Sequence, residues 1–191
     1  MKTMRLAAMA WIAATPLSAQ LGELQVGAVT SYGTSTPYHT GAGLVFGVAP
    51  GRLVYVGLRW IYYAGTTTAA LASPSAGPAD VRNRAQVFAS DYDVEIPIYS
   101  GLLELRPSIG LGIVRFAQRG RSMSGVIATH SKEFIAAPGV ALQISAGRVG
   151  VIPEIQYYFT GHTELPWPVR NKSLALSVSV VFLSEIRRIR R

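Results

Sequence analysis

Lys172-Ser-Leu-Ala-Leu-Ser-Val-Ser-Val-Val-Phe182 reads as a single strand with two unlike faces. Leu174, Leu176, Val178, Val180 and Phe182 share one side, and Ser173, Ala175, Ser177, Ser179 and Val181 share the other. Strict period-2 alternation belongs to a β-strand, and no helical stripe fits it. Most of the chain repeats this pattern. The fold therefore follows from finding the other segments and asking what the apolar face touches.

Seven further segments alternate in the same way. They cover Glu23–Tyr32, His39–Val48, Leu53–Tyr63, Ala85–Ile98, Leu102–Phe116, Glu133–Ser145 and Val149–Thr160. Ala49-Pro-Gly-Arg52, Tyr99-Ser-Gly101 and Ala146-Gly-Arg148 are tight-turn signals. The other connections are longer and polar: Gly33–Pro37, Gly65–Arg84, Gln118–Lys132 and Gly161–Asn171. Gly65–Arg84 and Gln118–Lys132 lack periodicity and are expected to be loops. Eight strands joined by alternately long and short connections predict an all-β, eight-stranded, antiparallel up-and-down barrel.

A barrel of this kind can turn its apolar face inward, as soluble lipocalins do, or outward to lipid. Three features favour lipid. The polar face is rich in Gly, Ser and Ala, which fit a narrow lumen. Its mid-strand charges carry both signs: Arg59, Asp91, Asp93, Glu95, Glu104, Arg106 and Glu154. They are expected to form a salt-bridged plug across the lumen, since an unpaired charge there is costly. Finally, Tyr32, Trp60, Tyr62, Tyr92, Phe134, Tyr157, Phe159 and Phe182 gather toward strand ends, as interfacial girdles do. Strands of about 10–14 residues suit a tilted span of the hydrocarbon core, and long outer loops with short inner turns are the habit of such barrels.

Composition agrees. Charged residues are 15% and apolar residues 49%, a low charge content for a soluble domain. Residues 1–19 read as a secretory leader: Lys2 and Arg5 precede the apolar run Leu6–Thr15, Pro16 breaks it, and cleavage is expected after Ala19. Of the 18 Lys and Arg, 16 follow the leader, and only Lys132 and Lys172 among these are lysines. A water-facing β-surface normally uses more. There is no cysteine, so no disulfide and no thiolate metal site. No cofactor or metal is expected, and the scattered basic charge forms no nucleic-acid motif.

The segment Leu105-Arg-Pro-Ser-Ile-Gly-Leu-Gly112 is similar to the Arg-Pro-Tyr-x-Gly-x-Gly run of the small outer-membrane β-barrels typified by the OmpA membrane domain and OmpX. Val94-Glu-Ile-Pro97 before a tight turn, and a last strand closing on Phe182, also resemble that family. The resemblance implies a barrel over residues 20–182 of a Gram-negative outer membrane. It further implies that Leu174, Leu176, Val178, Val180 and Phe182 form the signal read by the barrel-assembly machinery. Residues 183–191 depart from the simplest members and are expected to be a basic periplasmic tail.

For function, the resemblance implies a structural or surface-interaction role: envelope integrity, adhesion or recognition through the outer loops. Arg82, Arg84, Arg119, Arg121, Lys132, Arg170 and Lys172 are candidates for contact with lipopolysaccharide phosphates. Competing readings are an outer-leaflet lipid-modifying enzyme, a small pore, and a secreted lipocalin-like binder. An enzyme could draw on His162 with Glu164, or on His130 with Ser131 and Glu133. Adjacency in sequence does not supply a triad, and no catalytic residue is assigned.

Overall fold

The computed structural model describes residues 23–50, 53–73, 77–99, 102–122, 125–163 and 165–185. The expected leader and residues 186–191 of the expected tail lie outside them. The strands are β1 (Glu23–Gly33), β2 (Thr40–Ala49), β3 (Val54–Tyr63), β4 (Thr67–Ser73), β5 (Gly77–Val94), β6 (Ile96–Tyr99), β7 (Leu103–Ser122), β8 (Gly125–Ala146), β9 (Val149–Thr160) and β10 (Lys172–Glu185).

β1, β2, β3, β5, β7, β8, β9 and β10 form a closed antiparallel ring of eight strands. The first and last strands seal it, with Val26 opposite Phe182, Ala28 opposite Val180 and Thr30 opposite Val178. Closure leaves no unpaired edge around the barrel. Short β6 continues the line of β5 along β7, and β4 folds back on β5. Among the described residues no helix is long and apolar enough to cross a membrane.

The faces are as the alternation predicts. Val26, Leu44, Leu58, Phe88, Ile113, Phe134, Ile155, Val178 and Phe182 are exposed on the outer wall. Gln25, Arg59, Asp91, Arg106, Glu154, Ser177 and Ser179 are buried inside. The interior is tight enough to require glycine. A Cβ on Gly43 would collide with the Trp60 carbonyl oxygen, and one on Gly112 with that of Phe88. At the Ala146–Val149 turn, Gly147 adopts φ +64°, a left-handed conformation suited to glycine.

Two expected loops are strands. Of the segments expected as loops, residues 67–73 and 77–84 form β4 and the first part of β5, and residues 118–122 and 125–132 belong to β7 and β8. β5, β7 and β8 thus run well past the apolar belt as one sheet. Beyond the belt the outer face carries Arg82, Arg84, Arg119 and Arg121 while Val81, Asn83 and Ala85 are buried inside, so the apolar-out, polar-in alternation that marks a membrane strand no longer holds while the backbone ladder continues. β10 also runs three residues beyond Phe182, with Leu183 opposite Gln25 and Glu185 opposite Glu23.

Candidate functional site

The lumen is packed in tiers, each built from inward residues of several strands. Nearest the tight-turn end lies Arg106 of β7, 1% exposed. Its Nη1 donates to Gln143 Oε1 at 2.6 Å and to Gln25 Oε1 at 3.3 Å. Its Nη2 donates to Glu95 Oε1 at 3.0 Å, and its Nε lies 3.5 Å from Asp93 Oδ2. The guanidinium also sits 4.2 Å over the Tyr55 ring. In the middle tier Arg59 Nε reaches Asp91 Oδ2 at 2.8 Å, while Nη1 reaches Glu154 Oε2 at 2.5 Å and Gln156 Oε1 at 3.0 Å. Four buried carboxylates therefore face two guanidinium groups. A void of about 20 Å³ remains between the tiers, room for little more than one water-sized sphere.

Aromatic side chains fill the lumen above. The Ser177 hydroxyl donates to Ser31 Oγ at 2.9 Å, Ser31 Oγ and Tyr63 OH are 2.8 Å apart, and Tyr63 OH and Tyr158 OH are 3.0 Å apart. Tyr38, from the β1–β2 connection, drops into this layer. It meets Tyr63, Tyr158 and Phe116 edge-on at centroid distances of 5.4, 5.3 and 5.9 Å. Burial pushes its phenol well above the usual range, so it stays neutral.

The connection before β10 straps the mouth. Gln118 Nε2 donates to the Trp167 carbonyl at 2.7 Å, and the Trp167 N–H donates back to Gln118 Oε1 at 3.3 Å. The indole rests on Gly120, where an added Cβ would come within 2.5 Å of the ring. Trp167→Ala should release this strap. Each ~1.4 kcal/mol of lost local stability raises the open population tenfold, so trypsin cleavage after Arg170 is expected to accelerate at least about tenfold.

The outer wall carries the second feature. In register, Phe88, Ile113 and Phe134 form a row across β5, β7 and β8 at the top of the apolar belt. The next outward row is Gln86, Arg115 and Lys132; then come Arg84, Ala117 and His130; then Arg82, Arg119 and Ala128; then Asp80, Arg121 and Val126. Arg115 lies directly opposite Lys132, and Arg82 directly opposite Arg119. Like charges facing each other across a ladder repel. Among the described residues, none of these cations belongs to an ion pair. A cleft of about 310 Å³ is lined by Asp80, Arg82, Arg119, Arg121 and Val126.

No protein-family model and no curated protein sequence matches the chain. Solved structures do. A major outer membrane protein from Thermus thermophilus superposes with a TM-score of 0.65 at 12% identity, over 85% of this chain and 99% of that one. Ail, the attachment invasion locus protein of Yersinia pestis, gives 0.54 at 12% identity over 85% and 99%. The N-terminal β-barrel domain of Pseudomonas aeruginosa OprF gives 0.53 at 10% identity over 86% and 99%. Ail has also been solved with the heparin analogue sucrose octasulfate.

This is the fold of the small eight-stranded outer-membrane β-barrels.

Within that fold, the expected lumen network assembles from Arg59, Asp91, Asp93, Glu95, Arg106 and Glu154. Glu104 differs. It sits partly exposed near the tight-turn end and joins none of the four ion pairs among the described residues. Gln25, Gln143 and Gln156 complete the network. Their inward parity is legible in the sequence, but nothing local marks them as arginine acceptors.

Arg82, Arg84, Arg119, Arg121 and Lys132 all stand on the outer face of the extended barrel sheet, and Arg170 just before β10 and Lys172 at its start are exposed. Arg115 completes the ladder. Sequence reasoning misses it, because it falls within a segment that reads as a membrane strand. Leu174, Leu176, Val178, Val180 and Phe182 line the outer wall of β10. The Ser131 hydroxyl donates to Glu133 Oε1, whereas His130 projects from the opposite face of β8. Glu164 lies outside the described residues, so the pairing of His162 with it does too.

Proposed function

We propose that this chain is an outer-membrane barrel with a non-catalytic surface-interaction role. In this reading the tight-turn end faces the periplasm and the long-hairpin end faces outward. The leader directs export, and the outer wall of β10 is read by the barrel-assembly machinery. The basic wall of β5, β7 and β8 meets anionic saccharide, lipopolysaccharide in the first place and sulfated host-type glycans by the same chemistry.

The observation that carries this reading is the segregation of charge. Asp91, Asp93, Glu95 and Glu154 are buried in the lumen. The outer sheet, by contrast, gathers Arg82, Arg84, Arg115, Arg119, Arg121 and Lys132 on one face, with Arg115 opposite Lys132 and Arg82 opposite Arg119; Asp80 is the acidic residue among them, opposite Arg121, and none of the six cations is in an ion pair among the described residues. Guanidinium groups held together against their own repulsion suit phosphate or sulfate, which they bind bidentately. The complex of Ail with a heparin analogue supports the same ligand chemistry on a related fold. A lumen filled by side chains argues against a pore role.

Calorimetry of sucrose octasulfate binding to the barrel in neutral-lipid vesicles tests this. Binding is expected to be salt-dependent. The triple variant Arg82→Gln, Arg119→Gln, Arg121→Gln should weaken it by at least about tenfold, or ~1.4 kcal/mol. Equal binding by parent and variant would contradict the reading.

A further inference from the structure

Below the cation rows the outer wall is indented. Ser90 stands between Leu58 of β3 and Leu111 of β7 in register. Its small side chain leaves a trough of about 440 Å³ walled by Phe46, Leu58, Trp60, Phe88, Leu111 and Ile113. The trough is apolar and opens on the lipid-facing side. Phe88 and Ile113, which close its upper part, are the row immediately beneath Arg115 and Lys132.

Spacing relates the two features. Consecutive outward residues are about 6.7 Å apart along a strand, which a tilt of about 40° reduces to about 5 Å of height. On β5 the register row of Arg115 and Lys132 therefore crosses about 10 Å above Ser90, with each neighbouring strand offset by about 3 Å by the tilt, and Arg84 stands about 15 Å above Ser90. That is the separation between the phosphate of a membrane lipid and the upper part of its acyl chain. Arg82, Arg119 and Arg121 rise higher, beyond the head-group level of the leaflet.

We propose that the wall of β3, β5, β7 and β8 is a binding site for one lipid with a multiply phosphorylated head group. One acyl chain lies in the trough over Ser90, and its phosphates meet Arg84, Arg115 and Lys132. Three cations with no acidic partner among the described residues favour a head group carrying more than one phosphate. A singly charged phospholipid leaves at least one cationic neighbour unmatched. The site is one-sided: among the described residues the facing wall of β1, β2, β9 and β10 has no lysine or arginine at the corresponding end but Lys172 and neighbouring Arg170. The inference rests on the outward orientation of the hairpin end, and it adds a site, an acyl contact and Arg115 to that reading.

Native mass spectrometry of the full-length barrel in neutral detergent tests it, with diphosphorylated lipid A as the probe and phosphatidylglycerol as competitor. The parent is expected to retain one lipid A and to prefer it over phosphatidylglycerol by at least about tenfold. Arg84→Gln, Arg115→Gln, Lys132→Gln should lose that preference. Ser90→Phe, which fills the trough without touching any charge, should lower retention several-fold. A gel shift on boiling confirms that each variant is a folded barrel.

Sucrose octasulfate has no acyl chain, so its binding should survive Ser90→Phe. Retention of lipid A by both variants at the parent's level, or equal retention of phosphatidylglycerol, would overturn the site. If octasulfate binding persists in that case, the surface-interaction reading stands and only the lipid site falls.

Discussion

Arg106→Ala is expected to lower the unfolding free energy of the barrel by about 3–5 kcal/mol, the cost of leaving buried charges without their partner. Asp93 and Glu95 lose their guanidinium, Gln25 and Gln143 lose a donor, and the Tyr55 ring loses its cation. Urea unfolding in lipid vesicles, followed by tryptophan fluorescence, measures the change. Arg106→Met combined with Asp93→Asn and Glu95→Gln should recover most of the loss, because the carboxylates are neutralised together with the arginine. A single-variant cost below about 1 kcal/mol would mean that the network behaves as a solvated surface pair. The lumen would then be wetter than its packing implies.

Val178→Arg tests the outer wall. Val178 is 44% exposed near the middle of β10, between Thr30 of β1 and Pro153 of β9. An arginine near the midplane of a lipid-facing wall costs about 2–4 kcal/mol, falling to about 0–1 near the interfaces. The same change at the adjacent inward position fails for another reason. Ser177 is 3% exposed and hydrogen-bonded to Ser31, so Ser177→Arg overfills a packed lumen. If Val178→Arg is neutral, the apolar wall does not face hydrocarbon.

The strand pattern was legible because a membrane barrel imposes one rule on every strand: apolar outward, small or polar inward. That rule fixed the inward parity of Arg59, Asp91, Arg106 and Glu154, and the outward parity of the residues on β10. It stops at the edge of the hydrocarbon, which is why β4 and the outer halves of β5, β7 and β8 read as loop. There the alternation is changed in kind, with Arg82 and Arg84 outside against buried Val81, Asn83 and Ala85 inside. Arg115 was hidden by position, being the first cation above the belt, with every outward residue below it on β7 apolar. Tyr38 and Trp167 were hidden by long-range contact. Their burial depends on Tyr63, Tyr158, Gln118 and Gly120, none of them a sequence neighbour.

The most direct test is cell fractionation of the expressed protein, followed by gel mobility of the membrane fraction with and without boiling. A closed, lipid-facing barrel predicts recovery in the outer-membrane fraction and a folded band that migrates differently until it is heated. Recovery as a soluble periplasmic or secreted protein, with no heat-dependent shift, would contradict the account.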